Sequence, residues 1–240
     1  MARSALVTGS SSGIGRAIAL RLAADGFWVL LADVRRDPLT GGEPTDDLIR
    51  GSGGACEFAR ADVSLRQDCD QLVARAAASA GQLDVVVNNA ALAGRHSKPV
   101  LDTEDQDFDA IMAVNIRGPF MLCRAAVRQM LTQPARGDAR GRIVNITSQH
   151  GMVGAPGHAA YAVSKASLLQ LTRQIAVEYG RDGIICNSVA PGKIVTGTPG
   201  DLSQNERSAA YVGQEHPEAI RGKPERDRPP DTGRRPGHHG

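Results

Sequence analysis

A chain of 240 residues with a formal net charge of +2 is long enough for one domain with a large core, and its weak charge does not favour nucleic-acid binding. No apolar run approaches the ~20 residues of a membrane span, so we predict neither a membrane segment nor a signal peptide before the first strand. The four cysteines are scattered without a metal-ligand spacing, which indicates reduced thiols, no metal site and a cytoplasmic location.

Strands and helices are predicted to alternate along most of the chain. The expected strands are residues 4–7, 27–32, 55–61, 83–87, 142–146 and 184–189. The expected helices are residues 16–26, 65–80, 104–131 and 161–179, with a short helix near 45–50 and a bend or break at Pro119. This order predicts an α/β fold with a doubly wound parallel sheet, in which ligands bind beyond the carboxyl ends of the strands.

A glycine-rich turn, TGSSSGIG at residues 8–15, connects the first strand to the first helix. Gly9 permits a tight turn, and Gly13 and Gly15 permit close approach of backbone or ligand because they have no Cβ. The free N–H groups and the positive dipole end at the start of the helix suit a pyrophosphate. The alternative is a plain turn without a ligand, because glycine-rich turns also occur as simple connections.

Asp33 ends the second strand, about 20 residues past the glycines. A carboxylate there can accept hydrogen bonds from both ribose hydroxyls of an adenosine and would repel the 2′-phosphate of NADP. Arg35 and Arg36 follow closely and could weaken this preference. NAD is therefore the expected cofactor, and NADP is less favoured.

Polar and small residues follow the other expected strands as well. They are Asp62 after the third strand, Asn88, Asn89 and Ala90 after the fourth, Ser148 after the fifth, and Pro191 and Gly192 after the sixth. Because the carboxyl ends of parallel strands meet at one edge of a sheet, we expect these residues to share one site with the glycine turn. Considered separately, the asparagines could equally form an Asx turn.

Tyr161 and Lys165 lie four residues apart on the predicted helix 161–179, and Ser148 lies thirteen residues before the tyrosine. Positions i and i+4 share one side of a helix, so the ammonium can lie near the phenol. A free phenol titrates near pH ~10, and a neighbouring positive charge lowers its pKa. Such a tyrosine can exchange a proton with an alcohol or a carbonyl.

The alternative for this pair is a tyrosine and a lysine on the surface of an amphipathic helix. The apolar residues expected to form one broad face of the helix are Ala162, Val163, Ala166, Leu169 and Ile175.

These motifs and spacings resemble the short-chain dehydrogenase/reductase family over about residues 3–200. The glycine turn matches the family's TGxxxGxG, and PGKIVT after the sixth strand matches its PGxIxT. Asn88, Asn89 and Ala90 match the family's NNAG, except that Ala91 replaces the final glycine. The resemblance implies a Rossmann fold and hydride transfer between a nicotinamide cofactor and a substrate carbon.

The resemblance also implies a role for individual residues. The family's catalytic tetrad falls on Asn115, Ser148, Tyr161 and Lys165. The implied cofactor contacts are Gly9, Ser11, Ser12, Gly13, Ile14, Gly15, Asp33, Asp62, Val63, Asn89, Ala90, Tyr161, Lys165, Pro191, Gly192, Ile194 and Thr196. In the implied mechanism Tyr161 takes the hydroxyl proton, and Lys165 lowers the tyrosine pKa and holds the ribose. Ser148 bonds the substrate oxygen, and Asn115 positions a water that passes the proton onward.

The implied substrate is a small-molecule secondary alcohol or ketone. The residues predicted to contact it are Ser148, Gln149, His150, Tyr161 and Lys193. Their polarity suggests a sugar or polyol, although His150 and His158 could be ordinary loop residues. A 3-oxoacyl-thioester reductase is an alternative that Asp33 disfavours, because such reductases usually use NADPH. A sugar-nucleotide epimerase or dehydratase would need a larger C-terminal domain than 240 residues allow.

The C-terminal region departs from the family. We expect a catalytic domain at residues 1–200, part of a substrate-covering segment at 201–221 and a disordered or aberrant tail at 222–240. The tail contains no Val, Ile, Leu, Met or aromatic residue, so it cannot supply the family's seventh strand. A truncated or frameshifted C-terminus and a natural disordered tail both fit this composition.

The incomplete C-terminus has two consequences for function. A cofactor-binding but catalytically impaired protein is a further alternative, because the substrate cover would be incomplete. The family's subunit contacts use the long helices and the last strand, so without that strand a homodimer is favoured over a tetramer.

Overall fold

The computed structural model describes residues 3–93, 98–192 and 194. The predicted site residues Lys193 and Thr196 and the predicted segments 201–221 and 222–240 lie outside the described residues.

Six strands and six α-helices make up the described part of the chain. The strands are β1 Arg3–Thr8, β2 Phe27–Asp33, β3 Cys56–Arg60, β4 Val85–Asn88, β5 Gly141–Ile146 and β6 Ile184–Val189. The helices are α1 Gly13–Ala24, α2 Thr45–Gly51, α3 Arg66–Ala80, α4 Asp105–Met112, α5 Gly118–Thr132 and α6 Ala159–Tyr179. The short 3₁₀ turn Gln149–Gly151 and the π-helical segment Ala113–Arg117 also contribute to the site.

The six strands form one sheet in the order β3-β2-β1-β4-β5-β6, and every neighbouring pair is parallel. This confirms the predicted α/β fold with a doubly wound parallel sheet. The strand order reverses between β1 and β4, and in such sheets the crevice at the reversal is where a ligand binds.

The sheet is buried on both faces because its strands are almost continuously apolar. One apolar cluster joins Leu6, Leu30 and Ile143 to α3, α5 and α6. A second cluster on the opposite face joins Val7 and Leu31 to α1 and α2. Successive strand residues alternate between these clusters, as the period-2 geometry of a strand requires.

The predicted helix 104–131 is continuous from α4 to α5 but contains the π-helical segment Ala113–Arg117. Pro119 follows this segment in the first turn of α5. A proline has no N–H to donate, and its ring crowds the carbonyl four residues earlier, which here belongs to Asn115. The expected bend or break at Pro119 is therefore replaced by a local widening of the helix, which places Asn115 on a π turn.

The segment Asp105–Thr132 is the one helical stretch of the described chain that could cross a membrane by length and composition. This is a weak indication, because core helices of soluble proteins pass the same test. Leu122, Ala126 and Met130 are buried in the core, and 56% of the most apolar window is buried inside the protein, as for a core helix.

Helix α6 buries a different face from the one predicted. Its buried residues are Ala160, Ser164, Lys165, Leu168, Thr172 and Ile175. Only Ile175 belongs to the predicted apolar face, while Val163 is half exposed. The prediction was wrong because polar side chains in this helix have hydrogen-bond partners inside the protein and can therefore face inward.

Candidate active site

The glycine-rich turn between β1 and α1 requires glycine at three positions. Gly9 and Gly13 have φ angles of +63° and +54°, a backbone region that residues with a Cβ rarely adopt. A Cβ on Gly15 would lie 2.1 Å from the carbonyl oxygen of Gly9 and 2.3 Å from Nδ2 of Asn89. The first turn of α1 therefore packs directly against the end of β1.

Asn89 and Thr8 fasten this turn to the residues that follow β4. The Asn89 side-chain amide donates to the carbonyl oxygens of Thr8 and Gly9, both at 3.0 Å. The Thr8 hydroxyl accepts from the N–H groups of Asn89 and Ala90 at 3.0 and 3.1 Å. Asn89 thus shapes the turn with its side chain. The role of Thr8 was missed, although it is the first residue of the TGxxxGxG motif.

The start of α1 has the free donors that an anionic group requires. Ser12 is the N-cap but makes no side-chain cap, because its Oγ accepts from the N–H of Leu39 at 2.8 Å. The first backbone N–H groups of this 12-residue helix therefore lack a side-chain cap and lie at the positive end of its dipole. With the glycine cradle of Gly9, Gly13 and Gly15, the helix start at Ser12, Gly13 and Ile14 has the donors to hold the pyrophosphate of a dinucleotide. Ser11 is predicted to bind there as well, but its N–H and its hydroxyl donate within the protein.

Asp33 lies at the end of β2, beside the same turn. Its carboxylate accepts from the N–H of Ser11 at 3.1 Å and from the N–H of Arg35 at 3.3 Å. The side chain is half-buried and is fixed close to the turn. Arg36, in contrast, points its guanidinium at Asp46, with one N–O distance of 2.9 Å.

Asp62 and Val63 follow β3 and are held against α3 and α5. The N–H of Asp62 donates to Asp68 at 2.8 Å, and its carboxylate accepts from the N–H of Ser64 at 2.9 Å. A Cβ on Gly118 would lie 2.9 Å from the Val63 carbonyl oxygen, so a glycine is needed at the start of α5. This fixes the loop where an adenine is expected.

Ser148 begins the 3₁₀ turn that follows β5, and its Oγ accepts from the N–H of His150 at 3.2 Å. The turn ends at Gly151, where a Cβ would lie 2.8 Å from the carbonyl carbon of Lys165. The turn and α6 therefore meet backbone to backbone, which brings Ser148 close to Tyr161. Sequence reasoning missed Gly151, and only its position between Ser148 and Tyr161 could have indicated it.

The residues after β6 reach the same turn. The N–H of Gln149 donates to the carbonyl oxygen of Pro191 at 3.1 Å. A Cβ on Gly192 would lie 3.5 Å from Oε1 of Gln149, an ordinary contact distance. Ile194 is half exposed. The structure therefore brings Pro191 and Gly192 beside Gln149, at the carboxyl edge of the sheet.

Lys165 is a buried cation on α6. Its Nζ donates to the carbonyl oxygen of Ile146, the last residue of β5, at 2.8 Å. The residue is only 3% exposed, and burial lowers the pKa of the ammonium to about 8. Nζ lies 5.7 Å from the centroid of the Tyr161 ring. Lysine and tyrosine thus lie side by side, as the i, i+4 spacing predicts.

The pKa of Tyr161 differs from the sequence-based expectation. Burial raises the pKa of the phenol above its ordinary value, and a hydrogen bond with Ser148 lowers it only in part. Lys165 does not offset this effect of burial in the structure. A partly buried phenolate loses hydration, and the ammonium hydrogen-bonds to a carbonyl oxygen rather than to the phenol.

Asn115 lies on the π turn and is fully buried. Its Oδ1 accepts from the N–H of Leu92 at 2.8 Å, and its Nδ2 donates to the Leu92 carbonyl oxygen at 2.9 Å. The same Nδ2 donates to the hydroxyl of Ser164 at 3.0 Å, and that hydroxyl donates to the Tyr161 carbonyl oxygen at 2.7 Å. Asn115 therefore connects the segment after β4 with the first turn of α6.

A second buried chain of hydrogen bonds lies beneath the site. The amide of Asn88 donates to Oδ1 of Asn145 at 2.8 Å, and the amide of Asn145 donates to the hydroxyl of Thr172 at 2.8 Å. It joins β4 and β5 to α6, the helix that contains Tyr161 and Lys165. Sequence reasoning missed Asn145 and Thr172, because a single polar residue in an apolar strand or helix has no periodic pattern. The one signal in the sequence was that β4 and β5 each have an asparagine at or beside the last residue, Asn88 and Asn145.

Two imidazoles flank Tyr161. The ring centroids of His150 and His158 are 4.6 Å apart, and they lie 6.3 and 6.5 Å from the tyrosine ring centroid. Burial lowers the pKa of both histidines, and for His158 the neighbouring His150 lowers it further. Both rings are therefore neutral at neutral pH. Gln149 Nε2 lies 3.3 Å from His150 Nε2, so these predicted substrate contacts form one polar wall beside the phenol.

Comparisons with known proteins agree with this geometry. The family model described as short chain dehydrogenase matches residues 3–207. A 2-(R)-hydroxypropyl-CoM dehydrogenase from Xanthobacter autotrophicus is 41% identical over 203 residues, which cover 82% of this chain and 76% of that protein.

Solved structures give the same result. An NAD⁺-bound xylitol dehydrogenase has a TM-score of 0.75 and 32% identity, covering 89% of this chain and 78% of that one. A 3-oxoacyl-[acyl-carrier protein] reductase from Brucella melitensis, in complex with NAD, has a TM-score of 0.78 and 29% identity, covering 88% of this chain and 81% of that one. The chain therefore belongs to the short-chain dehydrogenase/reductase family, whose members are oxidoreductases with a Rossmann fold and a nicotinamide cofactor.

Proposed function

We propose that the protein is an NAD-dependent oxidoreductase that transfers a hydride between the nicotinamide and a secondary alcohol or ketone. The observation that carries this proposal is the placement of Tyr161 between Ser148 and the buried Lys165, at the sheet edge that also holds the glycine cradle. A buried ammonium beside a partly buried phenol is unfavourable for folding alone, and groups of this kind are concentrated at functional sites.

In the oxidation direction Tyr161 accepts the proton of the substrate hydroxyl, and Ser148 donates a hydrogen bond to the substrate oxygen. When bound, the nicotinamide would supply the acceptor for the hydride of the same carbon. Because burial raises the pKa of Tyr161, the phenolate form needs a nearby positive charge. Lys165 supplies it and holds the ribose, and with a pKa of about 8 it is mostly protonated at neutral pH.

Asn115 completes the proposed tetrad as the group that positions a proton-carrying water. Its side chain hydrogen-bonds Leu92 and Ser164, so it holds the backbone around that water in place. Asp33 would accept hydrogen bonds from the ribose hydroxyls of NAD, and Pro191, Gly192, Ile194 and Thr196 would hold the nicotinamide end.

The substrate class that we favour is a sugar or polyol. Gln149 and the neutral His150 offer donors and acceptors without a net charge, which suits a chain of hydroxyl groups. Lys193 would add a further donor. The likeness to a xylitol dehydrogenase supports this choice.

The second candidate is a 3-oxoacyl-thioester reductase. The Brucella melitensis reductase of that type is in complex with NAD, so the carboxylate of Asp33 is a weaker objection than the sequence alone suggested.

We also propose a homodimer formed through α5 and α6. Their outward faces expose Phe120, Val163 and Val177, with Val177 81% exposed. Apolar side chains of this size on neighbouring helices are typical of an interface. Residues 1–200 are proposed as the catalytic domain, 201–221 as a partial substrate cover and 222–240 as a tail.

Replacing Tyr161 with Phe tests the proposed function. The variant should lose turnover by about 10²- to 10⁴-fold, because a proton-transfer group is removed while the ring packing remains. Its affinity for NADH, measured by fluorescence, should stay within about twofold of the wild type, since the phenol hydroxyl makes few of the cofactor contacts. Turnover should be screened on sugars, polyols, hydroxysteroids and acyl ketones with both cofactors.

Equal turnover in Tyr161→Phe would remove the tyrosine from the mechanism. Cofactor binding by the wild type without turnover on any of these substrates would favour a catalytically impaired protein instead. Preferential turnover of acyl ketones would favour the second candidate.

A further inference from the structure

The guanidinium of Arg36, in the loop between β2 and α2, is held by two carboxylates of α2. Its Nε donates to Asp46 at 3.1 Å and a terminal nitrogen donates to the same carboxylate at 2.9 Å. That terminal nitrogen also donates to Asp47 at 2.5 Å. Arg50 reaches Asp46 at 2.8 Å from the next turn of α2. We refer to Arg36, Asp46, Asp47 and Arg50 as the Arg36 cluster.

The Arg36 cluster is built around a buried acid. Asp46 is only 3% exposed, and burial alone would raise the pKa of its carboxyl. Hydrogen bonds and charge from Arg36 and Arg50 outweigh burial and bring the pKa below its ordinary value. Asp46 is therefore ionised at neutral pH. A buried carboxylate needs these partners, so releasing Arg36 would leave it partly uncompensated.

The Arg36 cluster lies against the glycine turn. The hydroxyl of Thr45, the first residue of α2, donates to the Ser10 carbonyl oxygen at 3.0 Å. The hydroxyl of Ser11 donates to the carbonyl oxygen of Arg35 at 2.6 Å. Asp33 accepts from the N–H of Ser11 in the same turn. Arg36 thus follows Arg35, whose N–H donates to the carboxylate proposed to bind the ribose, but its charged end is turned towards α2.

In this fold, an arginine close to the acid after the second strand is the group that accommodates the 2′-phosphate of NADP. Three of the five N–H donors of a guanidinium suffice for the bonds that Arg36 makes here, and two carboxylates balance its charge. A 2′-phosphate that used Arg36 would therefore compete with Asp46 and Asp47 for the charge of its guanidinium.

We propose that Asp46 and Asp47 hold Arg36 away from the 2′-phosphate site and so act, together with Asp33, as determinants of cofactor choice. This inference rests on the proposed preference for NAD and names the residues that maintain it. The acids of α2 thus act on cofactor choice by withdrawing an arginine that could reverse the effect of Asp33. If the Arg36 cluster were purely structural, it would fix the loop without affecting the affinity for a 2′-phosphate.

Calorimetric titration of the full chain with 5′-AMP and with 2′,5′-ADP tests the proposal without turnover, since these ligands differ only by the 2′-phosphate. Wild type should bind 5′-AMP more tightly. Arg36→Ala should leave 2′,5′-ADP affinity within about twofold of wild type, because two carboxylates already balance the charge of the guanidinium. Asp47→Asn and the double variant Asp46→Asn/Asp47→Asn should raise 2′,5′-ADP affinity progressively, by about tenfold for the double, with 5′-AMP affinity unchanged.

Two controls separate the specific effect from charge and folding. Asp25→Asn removes the same charge from an exposed pair with Arg21 at the far end of α1, and should change neither affinity. Adding Arg36→Ala to the double variant should cancel its gain. Asp47 is 38% exposed in its side chain, so Asp47→Asn should fold even if loss of the buried Asp46 carboxylate does not permit folding.

The outcomes separate the two proposals. Loss of 2′,5′-ADP affinity in Arg36→Ala, or unchanged 2′,5′-ADP affinity in a folded Asp47→Asn, would overturn the role of the Arg36 cluster. A wild type that bound 2′,5′-ADP more tightly than 5′-AMP would instead overturn the proposed NAD preference, whatever the variants did relative to it.

Discussion

The two halves of the sheet build their parts of the site in different ways. The nucleotide half, β1 to β3, relies on glycines and on contacts to the backbone, such as Gly15 against Gly9 and Ser11 against Arg35. The catalytic half, β4 to β6 with α6, relies on buried polar side chains that bond one another, such as Asn145 and Thr172. The nucleotide half uses glycines, which have no side chain, to leave room for a ligand. The catalytic half uses buried polar side chains to hold the reactive side chains in position.

This difference has a physical consequence for stability. A glycine at a close backbone contact tolerates no Cβ, so substitution there produces a steric clash. A buried polar group depends less on an exact fit than on its hydrogen-bond partner. Without that partner it has lost its hydration and gained no hydrogen bond in return. Substitutions in the two halves should therefore fail for different reasons and affect different functions.

The largest expected effect is in the nucleotide half, at Gly15. Gly15→Ala would place a Cβ 2.1 Å from the Gly9 carbonyl oxygen, and neither backbone segment can yield without moving the turn. We expect a loss of about 3 kcal/mol in the free energy of unfolding and loss of ADP binding. Chemical denaturation and calorimetry would measure both.

Gly51→Ala is the matched control for Gly15→Ala, because nothing lies within 4 Å of the added Cβ at the end of α2. Its free energy of unfolding should stay within about 0.5 kcal/mol of the wild type. If Gly15→Ala behaved like this control, the glycine cradle would not be under the steric constraint described here.

The catalytic half also has a close glycine contact, at Gly151, where a smaller effect is expected. Gly151→Ala would place a Cβ 2.8 Å from the backbone of Lys165 and push the Ser148 turn away from α6. Turnover should fall about 10- to 100-fold with ADP affinity unchanged, because only the distance between Ser148 and Tyr161 is altered.

Gly154→Ala provides the comparison for Gly151→Ala, since the added Cβ meets no atom within 4 Å in the same loop region. It should retain wild-type turnover. A parallel loss of ADP binding in Gly151→Ala would mean that the two halves are not independent.

The smallest expected effect is the pH dependence of stability from Lys165. Its folded pKa, about 8, lies below the ordinary value of 10.5, so above pH ~8 the unfolded chain binds more protons at this group than the folded one. The contribution of Lys165 to stability is therefore least favourable below pH ~8 and improves as the pH rises towards ~10.5. Lys165→Met should remove this dependence and turnover together.

Comparing Lys165→Met with the wild type cancels the contributions of the other titrating groups to the pH dependence of stability. The difference in free energy of unfolding, Lys165→Met minus wild type, should decrease by about 2 kcal/mol between pH 7 and pH 10. A difference that is constant over this range would show that the ammonium of Lys165 is not desolvated in the folded protein.

Much of the nucleotide half could be predicted from the sequence, since positive-φ glycines and the acid after β2 are recognisable by residue type and spacing. The strands were predicted because buried parallel strands are short apolar runs. The catalytic half was less predictable. The inward face of α6 was wrongly predicted, because periodicity detects apolar faces and the buried residues include Ser164, Lys165 and Thr172.

The sequence by itself determined the order of strands and helices, the glycine turn and the family, because these depend on local backbone preferences and on spacings along the chain. Only the tertiary structure decided that Lys165 is buried against Ile146, that the pKa of Tyr161 is raised and that Arg36 faces Asp46. Burial and charge pairing depend on which distant segments meet, and no spacing within one segment specifies that.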